Sequence, residues 1–508
     1  MKRATRPWER TSLTKGTILL FSVLFSTSKG LFLTTRKITR PIVGVTCLHG
    51  HASWTEADAP LDSVIPRQST GPSTPVGIYI HIPYCRQRCR YCDFAIVPIG
   101  PSAVTEANHT NNEMMDRATR GFLNMDATYR NALVDEISST KSYYNNTSSI
   151  PLQSIYFGGG TPSLAPVQTI QAILHAILNN GGPSLFVLLH NAEISIEMDP
   201  GTFGIQQLQA LKELGINRIS LGVQSFHDDV LQSIGRFHRR DDVLQSIAML
   251  REVYGENVNY SMDLISGLPG TSLAMWAETL DMATNLSPRH FSIYDLQIES
   301  GTVFSKWYEN DGGTLLVPKL PSPHDCAFAY RYASSYLRAK GYEHYEISSY
   351  AYRSKDSPSC YRSRHNQIYW EPQSSWFAFG LGATSFVHGN RYARPRALTD
   401  YVAWVKNGGA RDAHRARDEA LPNTLDWLTD IIMTRLRTSD GLDLDWIKDN
   451  VPNGDVLVEQ ILIGASLGLE LGLAARHIHK KKSLGTLRLA DPDGFYFQIP
   501  SFRASLWN

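Results

Sequence analysis

The sequence predicts an α/β fold, a partial (β/α)6, TIM-like barrel followed by a small C-terminal α/β domain. Three observations lead there. Between residues 77 and 296, six short apolar runs alternate with segments of helical periodicity, the pattern of parallel βαβ units with right-handed crossovers. The chemically odd residues cluster where those runs end, as they do at the C-terminal face of a βα barrel. The chain also has the bulk for such a fold. At 508 residues, 42% hydrophobic and 19% charged, it is too long for one small module and too apolar to be disordered.

The elements follow in order. Gly77–Ile82 (GIYIHI) is a buried-strand run stopped by Pro83. A polar insertion, roughly residues 100–122, precedes a helix over Ala127–Ser142. Next come strand Ser154–Phe157, helix Val167–Leu178, strand Ile194–Met198 and helix Ile205–Leu214, stopped by Gly215. Strand Arg218–Val223, helix Asp241–Val253, strand Tyr260–Ile265, helix Leu273–Asn285 and strand Phe291–Leu296 complete the series. At the strand ends lie Cys85, Gly158–Thr161, Glu197–Asp199, Gln224, Asp263–Pro269 and Gln297. One functional mouth built from six strands is the economical reading.

Charge excludes one class of function. Residues 1–55 carry nine Lys/Arg and the single acid Glu9, so the remaining 453 residues hold 40 basic against 47 acidic side chains, a balance of −7. A basic core that neutralises phosphates is absent, and no nucleic-acid partner is expected. Residues 1–55, rich in Arg, Ser and Thr, read as an organellar presequence addressed to the mitochondrion, with the plastid as the alternative. The alternative rests on Ile18–Phe25 (ILLFSVLF), a signal-like apolar run. It falls short of the roughly 20 apolar residues that a membrane span needs. Residues 56–75 form a Pro/Ser/Thr linker. The sequons at Asn108 and Asn146 are not expected to be glycosylated.

Six cysteines in such a chain make no disulfide scaffold, yet Cys85, Cys89 and Cys92 fall within eight residues just past the first strand. Thiolates at i, i+4 and i+7 can converge on one inorganic centre. Zinc wants four protein ligands, and no fourth Cys or CxxC partner is nearby. A [4Fe–4S] cluster held by three thiolates leaves one iron open. S-adenosylmethionine (SAM) can chelate that iron through its amino and carboxylate groups, and an electron from the cluster then cleaves its sulfonium bond. CxxxCxxC after the first strand of a βα array therefore reads as a radical-SAM site, against a zinc site or incidental thiols. Of the others, Cys326 and Cys360 show no ligand spacing, and Cys47 lies in the leader.

Residues 76–300 resemble the radical-SAM core shared by the oxygen-independent coproporphyrinogen III oxidase (HemN) and the heme chaperone HemW. The matching stretches are Ile155–Pro162 (IYFGGGTP), Glu193–Pro200 (EISIEMDP), Ser220–Phe226 (SLGVQSF) and Met262–Pro269 (MDLISGLP). Their residues also make physical sense singly. Gly158, Gly159 and Gly160 with Thr161 end a strand without side chains that obstruct a ligand, so their N–H groups can meet the SAM carboxylate or amine; a lone Gly triplet would otherwise be a tight turn. Glu197 and Asp199 can hold the cofactor's ammonium or ribose hydroxyls, or Asp199 can cap a helix. Asp263, on an apolar strand, needs a partner. The resemblance assigns cofactor contacts to Tyr79, Tyr91, Gln224 and Arg236; for Arg236 the alternative is a surface ion pair, and for the tyrosines ordinary packing. By the same alignment Gln297 touches the adenosine.

Two departures choose the branch. The oxidase has a further cysteine two residues after the CxxC, where this chain has Phe94, and the Cys-Asp-Phe ending is the chaperone pattern. His365-Asn-Gln-Ile-Tyr-Trp370 resembles the chaperone's HNxxYW motif, which suggests His365 as a heme ligand beside Tyr369 and Trp370; alone, the motif would read as a packed core histidine. Arg90 departs from the chaperone pattern, which has Pro or a small residue there. The resemblance thus implies a [4Fe–4S] cluster, SAM and heme as cofactors, and apo-hemoproteins, respiratory cytochromes among them, as recipients. The alternative is the oxidase itself, an enzyme of porphyrin metabolism. The radical-SAM core is expected over 76–305, a barrel-closing β-rich extension over 306–400, and the C-terminal α/β domain over 401–508 with a hairpin at Leu487–Ile499.

Overall fold

The computed structural model describes residues 76–100, 117–144, 149–178, 185–308, 317–353, 361–372, 374–387, 389–419, 424–478 and 483–496. The leader, the linker, most of the polar insertion, both sequons, Cys47 and Cys360 lie outside the described residues. All six expected strands form: β1 (Val76–Ile82), β2 (Ile150–Gly159), β3 (Phe186–Met198), β4 (Arg218–Gln224), β5 (Tyr260–Ser266) and β6 (His290–Asp295). They are parallel neighbours in that order. The connecting helices are α1 (Arg117–Tyr143), α2 (Val167–Leu178), α3 (Ile205–Glu213), α4 (Asp228–Ser233), α5 (Arg240–Tyr254) and α6 (Leu273–Asn285).

Three differences from expectation have physical causes. β3 starts eight residues early: its first half opens on the apolar Phe186–Leu189, but it is partly exposed, with Val187 48% accessible, and the exposed His190 and Asn191 separate it from the buried half. α1 starts ten residues early, in polar sequence. There the buried Asp126 is held by the Tyr84 hydroxyl (3.0 Å) and the Thr169 hydroxyl (2.6 Å), which offset the cost of burying a carboxylate. α4, of six residues, is too short to show a period.

The strands have two unlike faces. Ile78, Ile80, Ile155, Phe157, Ile196, Leu221, Met262, Leu264 and Phe291 face the helices in one continuous core. The alternate residues Tyr79, Tyr156, Glu197, Ser220, Asp263 and Ser292 line the other face, a polar lumen. Period-two alternation inside a parallel sheet marks a concave face that meets solvent or ligand and not a second helix layer.

Past β6 come α7 (Val303–Tyr308), α8 (Pro323–Ala339), β7 (Tyr342–Glu346), β8 (Ser349–Tyr352), α9 (Arg364–Trp370), β9 (Trp376–Phe379), β10 (Thr384–Val387) and β11 (Asn390–Ala393). The extension is thus mixed, because α8 and α9 interrupt its strands. Its strands cover both edges of the parallel run. β9 pairs parallel with β1 (Gly77 opposite Trp376) and β8 antiparallel with β6, giving the order β11-β10-β9-β1-β2-β3-β4-β5-β6-β8-β7. No open edge of the six-stranded run is left to aggregate.

The chain forms two compact units: residues 424–428 and those from Gly441 onward make up the smaller, and the rest of the described residues, through Asp440, the larger. Helices α10 (Leu398–Lys406) and α11 (Gly409–Glu419) pack on α1 within the larger unit. The smaller unit has helices Leu444–Asn450 and Gly454–Glu470 and a three-stranded sheet with Thr486–Leu489 between Leu442–Asp443 and Ala474–His477. The expected hairpin at Leu487–Ile499 is therefore displaced. Its strands are Ala474–His477 and Thr486–Leu489, and residues beyond Tyr496 lie outside the described residues. Among the described residues no helix is long and apolar enough to cross a membrane.

Candidate functional site

The cysteine loop is clasped at both ends. Pro83 ends β1, and Tyr84–Cys85 pairs in parallel with Val97–Pro98, the Val97 N–H donating to the Pro83 carbonyl (2.8 Å) and the Ile99 N–H to that of Cys85 (2.9 Å). In between, the Arg90 N–H donates to the Ile234 carbonyl (3.0 Å) and the Phe304 N–H to that of Arg90 (3.0 Å). Arg90 has a structural use: its guanidinium donates to the Ser233 carbonyl (2.5 Å) and lies 4.9 Å over the Trp307 ring. Arg86 and Arg88 are pinned likewise, to the carbonyls of Gly201 (2.9 Å) and Phe94 (2.7 Å).

Cys85, Cys89 and Cys92 are free and half-buried. Burial pushes Cys85 up to about 12 and Cys92 to about 11, and raises Cys89. Cys85 also feels the charges of the other two, while the Thr161 hydroxyl 3.7 Å from its sulfur opposes the rise. Among the described residues no cage of three or more His, Cys, Asp or Glu side chains is closed, so one loop gathers the thiols without drawing them to a point. The loop offers three sulfurs, and among the described residues no fourth ligand joins them. It fits a [4Fe–4S] cube with one exchangeable iron position, and not the four-ligand shell of structural zinc.

Beside the thiols the strand ends converge. Asp199, just past β3, accepts from Arg236 Nη1 (2.7 Å) and from the Thr161 hydroxyl (3.2 Å), which links it to Cys85. Arg236 is only 12% exposed, so it is no surface ion pair, and Gly204, not Asp199, caps α3. Gln224 ends β4 at φ 65°, a left-handed backbone that costs strain in a non-glycine residue. A Cβ on Gly222 would lie 2.8 Å from Asp199 Oδ1, 3.2 Å from Gln224 Nε2 and 3.5 Å from Arg236 Nη2. Gly222 is thus the empty centre of the cluster, a role that its place in Ser-Leu-Gly-Val-Gln did not disclose. Tyr91 is half-buried against the apolar cluster of Val230, Leu231, Ile234, Ile265, Leu268 and Phe304, and it opposes the rise in the Cys89 pKa.

The glycine triplet does more than clear space for a ligand. The Gly159 N–H donates to Glu197 Oε2 (3.1 Å) and the Gly160 N–H to the Ile82 carbonyl (2.8 Å), so neither donor waits for a cofactor. A Cβ on Gly160 would lie 2.7 Å from the Pro83 and Tyr84 main chains. Gly159, at φ 114°, meets the His81 ring in the same way, at 2.5 Å. These glycines let the second strand touch the cysteine loop.

Deeper in the lumen, Glu197 Oε1 accepts from the Tyr156 hydroxyl (2.8 Å), and burial pushes its carboxyl up to about 7 despite both donors. Burial also raises Asp263, whose partners are the hydroxyls of Ser220 (2.9 Å), Ser261 (3.3 Å) and Ser292 rather than a cation. Tyr79 stacks on Tyr156 (6.2 Å between centroids), and Tyr294 stands 45% exposed. Tyr156, Tyr294 and the serines escaped the sequence reading. Their signal was period-two polarity within strands otherwise read as apolar.

His365 lies elsewhere. It sits on α9, 1% exposed, at the N-terminal end of the strands: Nδ1 pairs with the Ser154 hydroxyl (2.8 Å), Nε2 with the Tyr369 hydroxyl (2.8 Å), and the ring stacks on Tyr156 (4.9 Å). Burial lowers its pKa to about 3, which keeps the ring neutral. Glu193 accepts from the N–H groups of Arg364 (3.3 Å) and His365 (3.2 Å), capping α9, and lies 3.7 Å from Arg218 in a buried ion pair. The motif therefore builds the barrel floor. In this arrangement each ring nitrogen of His365, the expected heme ligand, has a hydroxyl partner, and Trp370 is buried against Tyr345.

A three-cysteine loop at the C-terminal mouth of a (β/α)6 sheet, ringed by strand-end polar residues, defines a radical SAM protein. The model of the Radical SAM superfamily matches residues 79–283. The chain is 40% identical to the Heme chaperone HemW of Synechocystis over 66% of its own length and 71% of that protein. It is 30% identical to the mitochondrial Radical S-adenosyl methionine domain-containing protein 1 of Danio rerio, over 72% and 73%. In fold it matches the coproporphyrinogen III oxidase HemN of Escherichia coli with a TM-score of 0.62, at 18% identity, over 87% of this chain and 92% of that one. The chain belongs to the HemN/HemW family of radical SAM proteins.

Proposed function

We propose that this chain is a heme chaperone, which binds heme and delivers it to apo-hemoproteins, on a scaffold that holds a [4Fe–4S] cluster and SAM. The observation that carries the reading is Phe94. It occupies the place of the oxidase's extra cysteine, 57% exposed and with no thiol to offer. The 40% identity to a protein named as a heme chaperone supports the same branch.

In this reading Cys85, Cys89 and Cys92 hold the cluster, which supplies one electron to the SAM sulfonium. Glu197, once ionised, receives the cofactor ammonium beside Gly159. Arg236 neutralises the cofactor carboxylate, and Thr161 and Asp199 keep that guanidinium aimed at the loop. Gln224 and Tyr91 flank the cofactor, while Tyr79 and Asp263 line the lumen beneath it.

The working compartment is an organelle. Relatives named as mitochondrial motivate the mitochondrion, and the higher identity to the Synechocystis protein favours the plastid as a second reading. Fluorescence of a reporter fused to residues 1–55 decides between them.

The function is tested by transfer. Heme-loaded protein mixed with an apo-cytochrome b should lose its Soret band as the cytochrome's band appears. A protein that binds no heme, or never releases it, overturns the proposal.

A further inference from the structure

The cysteine loop is braced by a part of the chain that begins some 290 residues later, at the turns that follow β9 and β11. Arg396 Nη2 donates to the Asp93 carbonyl (2.6 Å), the residue after Cys92. A Cβ on Gly382 would lie 2.9 Å from Ala95 Cβ, so that turn presses on the same arm of the loop. The two turns are bonded to each other: the Gly382 N–H donates to the Pro395 carbonyl (2.9 Å) and the Arg394 N–H to that of Ala383 (2.9 Å).

The brace has a fixed base. Glu136, buried in α1, accepts from Arg394 Nε (2.8 Å), the Tyr401 hydroxyl (2.6 Å) and the Gly380 N–H (3.0 Å). Tyr129, two turns earlier on α1, donates its hydroxyl to the His81 carbonyl (2.7 Å) and accepts from the Leu381 N–H (3.2 Å). His81 in turn reaches the loop, with Nε2 2.8 Å from the Ala95 carbonyl. A carbonyl only accepts, so Nε2 carries the proton and Nδ1 accepts from the Tyr79 hydroxyl (3.1 Å). Two routes from one buried anchor thus meet at residues 93–95, on the side of the loop that bears Cys92. Cys85 is held separately, by the Tyr84–Cys85 and Val97–Pro98 ladder.

We propose that Arg396 and the Gly380–Gly382 turn are positioning elements for Cys92, so that the extension beyond the barrel sets the third thiol of the cluster site. The proposal rests on the radical-SAM reading of the three cysteines. Its test does not need the cluster to be present.

The experiment is differential alkylation of the reduced, metal-free full-length protein, read by mass spectrometry at each cysteine. Arg396→Ala removes the outer bond without touching the core. Gly382→Ala places a methyl against Ala95 in a backbone at φ 68°. Arg391→Ala, which removes the bond from β11 to Asp430 (2.8 Å), is the control within the same extension. In both test variants Cys92 should label several-fold faster than in wild type while Cys85 keeps its rate, and Arg391→Ala should change neither. Reconstituted Arg396→Ala should then lose iron to a chelator several-fold faster than wild type. Unchanged Cys92 labelling in both test variants overturns the proposal, as does equal acceleration of Cys85 and Cys92. A wild-type chain that takes up no iron would instead count against the radical-SAM reading, with the alkylation result standing on its own.

Discussion

Asp199 and Arg236 meet at 2.7 Å across the mouth of the barrel, the carboxylate just past β3 and the guanidinium just past α4. Through Thr161 the same carboxylate reaches Cys85, so one ion pair ties the expected cofactor-carboxylate site to the cluster loop. Arg236→Ala removes a charged donor at the proposed cofactor site and leaves the cysteine clasp intact. SAM affinity should fall roughly tenfold or more, as expected for a lost hydrogen bond to a charged group of about 1.5–3 kcal/mol. Calorimetry reads the affinity and absorbance the cluster. Loss of both together would make the pair purely structural.

Glu197 gives a pH dependence with a definite sign. Its folded pKa of about 7 lies above the roughly 4.3 of an exposed glutamate, so between those values the folded chain holds a proton that the unfolded chain has released. Stability from this group is therefore complete below about pH 4.3 and lost as pH rises toward 7, an effect on the order of 3 kcal/mol. Asp263 shifts in the same direction, so the quantity to measure is the difference between wild type and Glu197→Gln in urea unfolding across that range. Glu197→Gln should flatten the curve. SAM binding should show the opposite trend in wild type, tightening as Glu197 ionises.

Gly160→Val is expected to damage the cluster as well as cofactor binding, because any Cβ there meets the Pro83 and Tyr84 main chains at 2.7 Å. Iron content after reconstitution is the readout. Full iron occupancy with weakened SAM binding would mean that the loop yields and the glycine serves the ligand alone.

His365→Ala should cost stability, about 2–4 kcal/mol, by opening a cavity in the floor and stranding the Ser154 and Tyr369 hydroxyls. Because both ring nitrogens are already bonded, the spectrum of the heme-loaded variant should match wild type. A shifted Soret band with unchanged stability would make His365 an iron ligand.

The six-stranded core was legible because each strand buries one apolar face under helices, and that burial writes Ile, Leu, Val and Phe into the sequence. The cysteine spacing and the strand-end residues were legible because chemistry restricts them to few side-chain types. The floor was not. His365 and Glu193 acquire their partners through strands and helices distant in sequence, and nothing local tells a bonded imidazole from an available one. Gly222 and Gly160 were likewise opaque in role, since a glycine's sequence context does not state which neighbour would occupy its missing side chain. Strands β7 to β11 were legible only as β-rich material, because α8 and α9 interrupt them and their partners are the far edges of the sheet.

The most direct test is a single anaerobic reaction: reconstituted protein with coproporphyrinogen III, SAM and a low-potential reductant, analysed for protoporphyrinogen, beside a titration of the same preparation with heme. Phe94 in place of a further thiol predicts a saturable Soret shift with heme and no decarboxylated product. Protoporphyrinogen formed with turnover of SAM would contradict the chaperone assignment and make this chain an oxidase.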